Sequence, residues 1–443
     1  MPSLIAQPTG RLSGSCLVPG DKSISHRALL AAALAVGESR IEGLLEGDDV
    51  MRTAQALREM GAEIARREDG AWRVQGLGIG GLHEPDTVLD LGNAGTGVRL
   101  LMGAAACHSH SVHFTGDESL RRRPMGRVAA PLREMGAAIV ARRGDRLPLT
   151  VAGSDDLVPI DYATPVASAQ IKSAIMFAAL GAPGETSIVE PRPTRDHSER
   201  LLRQFGAEIR CETSAEGHRV TVVGHPELRP AEITVPGDPS SAAFVVVAAL
   251  ITPDSEVRLR GVGINPRRVA LFDCLREMGA DLTVTPVAVA GGGEPAADIV
   301  ARSSALSGIV VPPGRTPDMI DEYPILAVAA ARASGTTRFD GVGELRLKES
   351  DRLAAVARGL AACGVAVEER ADGLSVHGAG AIAGDAAIAA DHDHRIAMAF
   401  AVAGLAAERP VRVDGTRTIA TSFPGFADLM RELGADLRTV NGG

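Results

Sequence analysis

Leu57-Arg-Glu-Met-Gly-Ala-Glu-Ile64 is the first of six versions of one phrase in this chain. The others are Leu132-Arg-Glu-Met-Gly-Ala-Ala-Ile139, Leu202-Arg-Gln-Phe-Gly-Ala-Glu-Ile209, Leu275-Arg-Glu-Met-Gly-Ala-Asp-Leu282, Leu360-Ala-Ala-Cys-Gly-Val-Ala-Val367 and Leu429-Met-Arg-Glu-Leu-Gly-Ala-Asp-Leu437. Their central glycines, Gly61, Gly136, Gly206, Gly279, Gly364 and Gly434, lie 75, 70, 73, 85 and 70 residues apart. Each phrase reads as an amphipathic helix that stops at a glycine, the residue that takes the left-handed C-cap conformation without a Cβ penalty, and runs straight into an apolar strand. A second, more apolar helix is predicted upstream of several copies, over 27–36, 98–106, 171–180, 242–250 and 396–406. The result is a βαβα-type unit of about 70 residues, larger than the usual solenoid repeats. Helix endings that arose independently would not recur at such even spacing, so the fold is read as α/β, built by duplication of one unit.

Two turn-rich stretches, Pro19-Gly20 and Pro236-Gly237-Asp238-Pro239, bracket three of the six copies. They predict one lobe over residues 20–236 and a second lobe assembled from residues 1–19 and 237–443. Two crossings of the chain make a natural hinge, and ligand sites favour such interfaces, so a substrate cleft between the lobes is expected.

The 443 residues are 45% hydrophobic and 23% charged, which fits an ordinary globular protein of about two to four domains. Aromatics make up only 3%, so Ala, Val, Leu, Ile and Met must fill the core and stacking platforms for nucleic acid are scarce. A net charge of -9 argues against a polyanion spread over the whole surface, while leaving room for a local basic cleft. Cys16, Cys107, Cys211, Cys274 and Cys363 are far apart and show neither metal-ligand nor redox spacing. No secretory or transit signature opens the chain, and apolar runs such as 242–251 fall short of the roughly 18 residues a membrane span needs. A soluble cytoplasmic protein without nucleic-acid or membrane partners is expected.

Charged and small polar residues gather where the apolar helices begin. Pro19-Gly-Asp-Lys-Ser-Ile-Ser-His-Arg27 puts Lys22, Ser23 and Arg27 at one such start, which suits a phosphate or carboxylate and equally suits a capped helix with solvated charges. Leu91-Gly-Asn-Ala-Gly-Thr-Gly-Val-Arg99 lets backbone N–H groups approach an anion, although a plain tight turn with a positive φ at Gly95 explains it as well. It is neither a P-loop nor a dinucleotide fingerprint. Arg121-Arg-Arg-Pro-Met-Gly-Arg127 groups several cations, Ser168 reads as an N-cap with Ala169 and Gln170 behind it, and Arg195 offers a bidentate anion contact or a pair for Asp196 or Glu199. In the second half, Met319-Ile-Asp-Glu-Tyr-Pro324, Leu347-Lys-Glu-Ser-Asp-Arg-Leu353 and Asp391-His-Asp-His-Arg-Ile396 supply Asp321, Lys348, Glu349, Arg352, His394 and Arg395. His392 and His394 lack a third ligand at suitable spacing, so no metal is expected. Taken together, the pattern fits two small multiply charged anions, with carboxylates left for proton transfer.

In this order the motifs resemble those of the 5-enolpyruvylshikimate-3-phosphate synthases, from about Leu12 to Leu437, and are most similar to the bacterial subgroup that includes glyphosate-tolerant members. The resemblance implies two lobes of three βαβαββ units each around pseudo-threefold symmetry, and a cofactor-free, monomeric enzyme. Its reaction would move the enolpyruvyl group of phosphoenolpyruvate to shikimate 3-phosphate. By resemblance Lys22, Ser23, Arg27, Ser168, Ala169, Gln170, Arg195, Asp321 and Lys348 bind shikimate 3-phosphate. Lys22, Gly95, Arg123, Gln170, Glu349, Arg352, His394 and Arg395 line the phosphoenolpyruvate site. Asp321 is the candidate base and Glu349 the candidate proton donor, with Lys22 and Lys348 able to share that work. Many members carry lysine where Thr421 stands, and the subgroup has alanine where this chain has Gly95, a position tied to inhibition by glyphosate.

Two other readings remain open from sequence. The sister enolpyruvyl transferase acting on UDP-N-acetylglucosamine typically has a reactive cysteine shortly before its Arg-Pro pair, and residues 108–123 contain none. A non-catalytic scaffold of six repeats would leave Asp321, Glu349 and the helix-start cations without a shared purpose.

Overall fold

Each repeat closes on a four-stranded sheet, giving six sheets of one design. They are seen in a computed structural model whose described residues are 2–215, 217–289 and 293–440. The second repeat shows the plan in chain order. Strand Leu89–Asp90 leads to the buried helix Gly95–Ala105, then to strand Ser111–Thr115, and after a short helix Glu118–Arg122 the outer helix Gly126–Glu134 leads into a hairpin of strands Ala138–Arg142 and Arg146–Ala152. The first two strands pair in parallel, as a helical crossover requires, and the remaining pairings are antiparallel. In all six sheets the spatial order is first, second, fourth, third.

Three places are filled by strands from elsewhere in the chain. Glu232–Thr234 returns to serve as first strand beside Val36–Glu42. Ser13–Cys16 does the same beside Glu256–Gly263. Ser3–Ala6 takes the fourth place in the last sheet, between Val411–Asp414 and Leu437–Val440.

The six phrases behave as their glycines predict. Gly61, Gly136, Gly206, Gly279, Gly364 and Gly434 have φ of 95, 109, 95, 98, 81 and 107°. In each, the following residue donates its N–H to the carbonyl five positions back, from Ala62 to Leu57 through Ala435 to Met430. The last bond shows that Met430, not Leu429, stands in the leading position of the sixth phrase.

Packing divides the chain into two units, Gly20–Val235 with Val289–Glu294, and Met1–Pro19 with Pro236–Ala288 and Pro295–Gly443. In the first unit, helix Gly95–Ala105 packs against both Lys22–Ala33 and Ala169–Ala179. In the second, helices Pro239–Ile251, Tyr323–Arg332 and His394–Leu405 each touch the other two. Pro239–Ile251 and His394–Leu405 are buried along their whole length, as apolar helices at the centre of a core must be. No helix of the described residues is long and apolar enough to cross a membrane.

Candidate active site

The buried helices begin earlier than their apolar residues suggest, and the extra turn consists of motif residues. Asp21 accepts from the Ile24 amide at 2.9 Å and so starts its helix at Lys22 rather than Arg27. Ser168 caps the helix Ala169–Ala179 as the sequence predicts, accepting from the Ile171 amide at 3.5 Å. Asp393 caps His394–Leu405, with its Oδ1 accepting from the Arg395 amide at 2.9 Å.

In the unit Gly20–Val235 three helix heads are tied together by side chains. Arg27 is buried and donates from Nε to Ser198 Oγ at 2.8 Å, from Nη2 to Ser173 Oγ at 2.8 Å and from Nη1 to the Ser23 carbonyl at 2.9 Å. Burial pushes its guanidinium down to about 10, Arg195 pushes the same way, and Glu199, Asp21 and Glu294 oppose. Gln170 donates to Thr96 Oγ1 at 2.9 Å and accepts from Arg99 Nη1 at 2.9 Å, which locks it to the turn that holds Gly95. Arg123 donates to the Asn93 side chain, and Lys22 pairs with Asp49 at 3.1 Å. Gly95 does not have positive φ, contrary to the tight-turn expectation; in its stretch that conformation belongs to Gly92, at 54°. A Cβ on Gly95 would meet Arg123 Nη1 at 2.9 Å and Arg99 Nη1 at 3.2 Å, so the missing side chain leaves room for two guanidiniums.

In the other unit Arg352 is the hub. It is 1% exposed, and its Nε donates to Asp393 Oδ2 at 2.8 Å, its Nη1 to Asp321 Oδ1 at 3.1 Å and its Nη2 to Glu349 Oε2. Burial alone would lower its pKa, but Asp393, Glu349 and Asp321 more than offset that and raise it. Arg395 donates to the Asp321 carbonyl at 3.3 Å, and its Nε lies 3.9 Å from Asp321 Oδ1. The two acids expected to stand ready for proton transfer are therefore both engaged by one guanidinium. Loss of solvent pushes Lys348 below the ordinary lysine range, while Asp321 opposes that shift. The hydroxyl of Thr421 turns back to the Thr418 carbonyl at 2.7 Å.

A sequence model of the family described as EPSP synthase (3-phosphoshikimate 1-carboxyvinyltransferase) matches residues 6–430. The chain belongs to that family. The 3-phosphoshikimate 1-carboxyvinyltransferase of Paramagnetospirillum magneticum is 60% identical over 432 residues, 97% of each chain. That of Parvibaculum lavamentivorans is 58% identical over 435 residues, covering 98% of this chain and 96% of the relative. Among solved structures, an EPSP synthase from Acinetobacter baumannii superposes with a TM-score of 0.88 at 42% identity and full coverage of both chains. The enolpyruvyl transferase NikO from Streptomyces tendae, at 20% identity, covers 100% of this chain and 99% of its own with a TM-score of 0.78, which shows the shared fold.

Several residues that hold the candidate site residues in place escaped the sequence reading. Lys172 is completely buried between Glu190 at 2.8 Å and Glu199 at 2.7 Å. A cation inside the apolar run Ile171 to Leu180 was the available signal. Arg99, Asn93 and Asp393 stand within quoted motifs but had no role attached to them. His392 is exposed and His394 buried, and neither joins a group of three metal-ligating side chains among the described residues. The group that does form is Asp196, His197 and Glu294. There His197 Nδ1 is hydrogen-bonded to Glu294 Oε1 at 2.6 Å and Arg200 pairs with Asp196 at 2.9 Å, so a cation is already supplied.

Proposed function

We propose that this chain transfers the enolpyruvyl group of phosphoenolpyruvate to the 5-hydroxyl of shikimate 3-phosphate, releasing phosphate. The observation that carries the reading is the position of the motif residues. Lys22, Ser23, Gly95, Ala169, Gln170, His394 and Arg395 all lie in the first turns of buried helices. Open amides, helix dipoles and guanidiniums coincide there, which suits two multiply charged anions. The names and near-complete coverage of the family relatives support the same assignment.

In this reading shikimate 3-phosphate takes Lys22, Ser23, Arg27, Ser168, Ala169, Gln170, Arg195, Asp321 and Lys348, and phosphoenolpyruvate takes Lys22, Gly95, Arg123, Gln170, Glu349, Arg352, His394 and Arg395. Proton delivery to the methylene carbon, with attack of the 5-hydroxyl on the adjacent carbon, gives a tetrahedral intermediate, and loss of phosphate together with a proton from the new methyl group re-forms the double bond and completes the transfer. Asp321, flanked by Arg352 at 3.1 Å and Arg395 at 3.9 Å, is the base for the hydroxyl. Glu349 is the proton donor, and the surrounding cations neutralise developing phosphate charge. Glyphosate would compete for the phosphoenolpyruvate groups.

The sister reaction on UDP-N-acetylglucosamine finds no support in the nearest cysteine. Cys107 is buried, and burial pushes its thiol up to about 12. Purified protein without added metal is expected to release phosphate only when shikimate 3-phosphate and phosphoenolpyruvate are both present. Release with UDP-N-acetylglucosamine instead, or with neither acceptor, would overturn the proposal.

A further inference from the structure

Arg27 is held by neutral oxygens. Its Nε and Nη2 donate to the hydroxyls of Ser198 and Ser173 and its Nη1 to the Ser23 carbonyl. The acids that act on it, Glu199, Asp21 and Glu294, do so through space without a hydrogen bond. Arg352, which donates to a carboxylate from each of its nitrogens, is the opposite case. Neutral partners fix a guanidinium in place and leave its charge uncancelled for an anion.

The two hydroxyls orient one another. Arginine can only donate and a carbonyl can only accept, so the bonds that run between Arg27 and the Ala169 carbonyl all point the same way. Arg27 Nε donates to Ser198 Oγ, Ser198 donates to Ser173 Oγ at 2.7 Å, and Ser173 donates to the Ala169 carbonyl at 2.6 Å, one turn back on its own helix. Ser173 also accepts from Arg27 Nη2, so it carries more of the network than Ser198 does. Both serines are buried together with their bonds to Arg27, whereas the bond from Nη1 to Ser23 is partly exposed. The guanidinium is gripped at its inner side and opens at Nη1. Of its five N–H groups three are used, which leaves one on Nη1 and one on Nη2.

The network joins all three stretches of this unit that the proposed shikimate 3-phosphate site draws on. Arg27 lies on the helix Lys22–Ala33, Ser173 follows Ser168, Ala169 and Gln170 at the head of Ala169–Ala179, and Ser198 stands three residues after Arg195 in the helix His197–Gln204. The ion pair of the preceding and following residues, Lys172 with Glu199 at 2.7 Å, sets the last two helices in the register at which the serines meet.

Resting on the function proposed above, we infer that Ser173 and Ser198 are positioning residues for shikimate 3-phosphate. They hold the guanidinium of Arg27 in a single orientation, with its charge and its remaining N–H groups left for the ligand, and tie it to the turn that carries Ser168, Ala169 and Gln170. Neither serine touches the ligand itself.

Calorimetric binding of shikimate 3-phosphate and steady-state kinetics on Ser173→Ala, Ser198→Ala and Ser198→Thr test this. Loss of either hydroxyl leaves a buried N–H of Arg27 without its acceptor and lets the guanidinium turn. The Kd for shikimate 3-phosphate is expected to rise on the order of tenfold in Ser198→Ala, and further in Ser173→Ala. Its KM should rise by a larger factor than the KM for phosphoenolpyruvate, and by more than turnover falls. Ser198→Thr keeps the hydroxyl and should recover most of the affinity, which a role in packing alone would not give. Melting temperatures check the folding of each variant, and if Ser173→Ala does not fold, the two Ser198 variants decide. Wild-type affinity in Ser198→Ala would overturn the inference, as would Ser198→Thr binding no better than Ser198→Ala, or equal rises in the two Michaelis constants. Phosphate release by the wild type from its two substrates is measured separately, so the function can stand while this inference falls. A wild-type protein that does not bind shikimate 3-phosphate would overturn both.

Discussion

At the scale of single residues, Gly95 shows what a glycine in a binding turn is for. Its backbone lies in a conformation open to any residue, so Gly95→Ala should fold normally and gain about 0.5–1 kcal/mol of helix preference at the start of Gly95–Ala105. The added methyl would instead press on the ends of Arg123 and Arg99, which are flexible enough to yield a few tenths of an ångström. We expect an unchanged or raised melting temperature. The inhibition constant for glyphosate, the longer ligand, should rise more than the Michaelis constant for phosphoenolpyruvate, by the about 1–3 kcal/mol typical of overpacking. Equal losses for both ligands together with a lowered melting temperature would show instead that the turn needs glycine. The sequence made the turn legible because Gly92, Gly95 and Gly97 cluster there, but it did not say which of them carries the positive φ. Conformation at one residue depends on what its neighbours pack against, and here Arg99 and Arg123 come from outside the turn.

At the scale of elements, the helix ends were legible to the residue, whereas among the starts of the buried helices the cap at Ser168 was read and those at Asp21 and Asp393 were not. A C-terminal glycine has one conformational job and announces it, whereas a polar first turn shows that a helix begins nearby without fixing its first residue until the cap is seen. Lys172 marks the limit of pattern reading. Its partners lie 18 and 27 residues away, on the strand Glu185–Glu190 and the helix His197–Gln204, so no local spacing reveals them. The triad fixes the helix that carries Ser198, and Ser198 holds Arg27. Lys172→Met should leave two buried carboxylates facing one another and cost roughly 3–5 kcal/mol in urea unfolding. Adding Glu190→Gln and Glu199→Gln to that variant should recover much of the loss. A single variant as stable as the parent would show that the triad contributes nothing to holding these elements.

At the scale of the whole molecule, the two units should respond differently to mild acid. His26 and His108 both lie in Gly20–Val235, and burial pushes them down to about 3 and about 4 from an ordinary 6.5. The ring of His108 is placed for the neutral form, with Nδ1 donating to the Ala104 carbonyl at 2.9 Å and Nε2 accepting from the Leu82 amide at 3.2 Å, and His26 Nδ1 is bonded to the neutral Thr53 Oγ1 at 2.8 Å. Above 6.5 neither contributes a pH dependence. Below it the unfolded chain binds protons that the folded unit refuses, so stability falls as pH drops, by up to about 1.4 kcal/mol per unit for each histidine. Between pH 6.5 and 4.5, before most carboxylates titrate, calorimetry should show the Gly20–Val235 unit melting at progressively lower temperature. An unfolding profile constant across that window would contradict this. Repeats and unit plan were legible from afar because six glycines keep time along the chain. The three strands that leave their own repeats were not, because a strand of three or four residues carries too little pattern to name its partner. Their routing has a consequence for synthesis. The strand Glu232–Thr234 completes the first sheet from within its own unit, so everything that unit's sheets require has emerged from the ribosome while much of the chain is still unmade. Ser3–Ala6, by contrast, is made well before its partners and must stay unpaired until Val411–Asp414 and Leu437–Val440 arrive on either side of it. A strand made early is thus among the last to find its place.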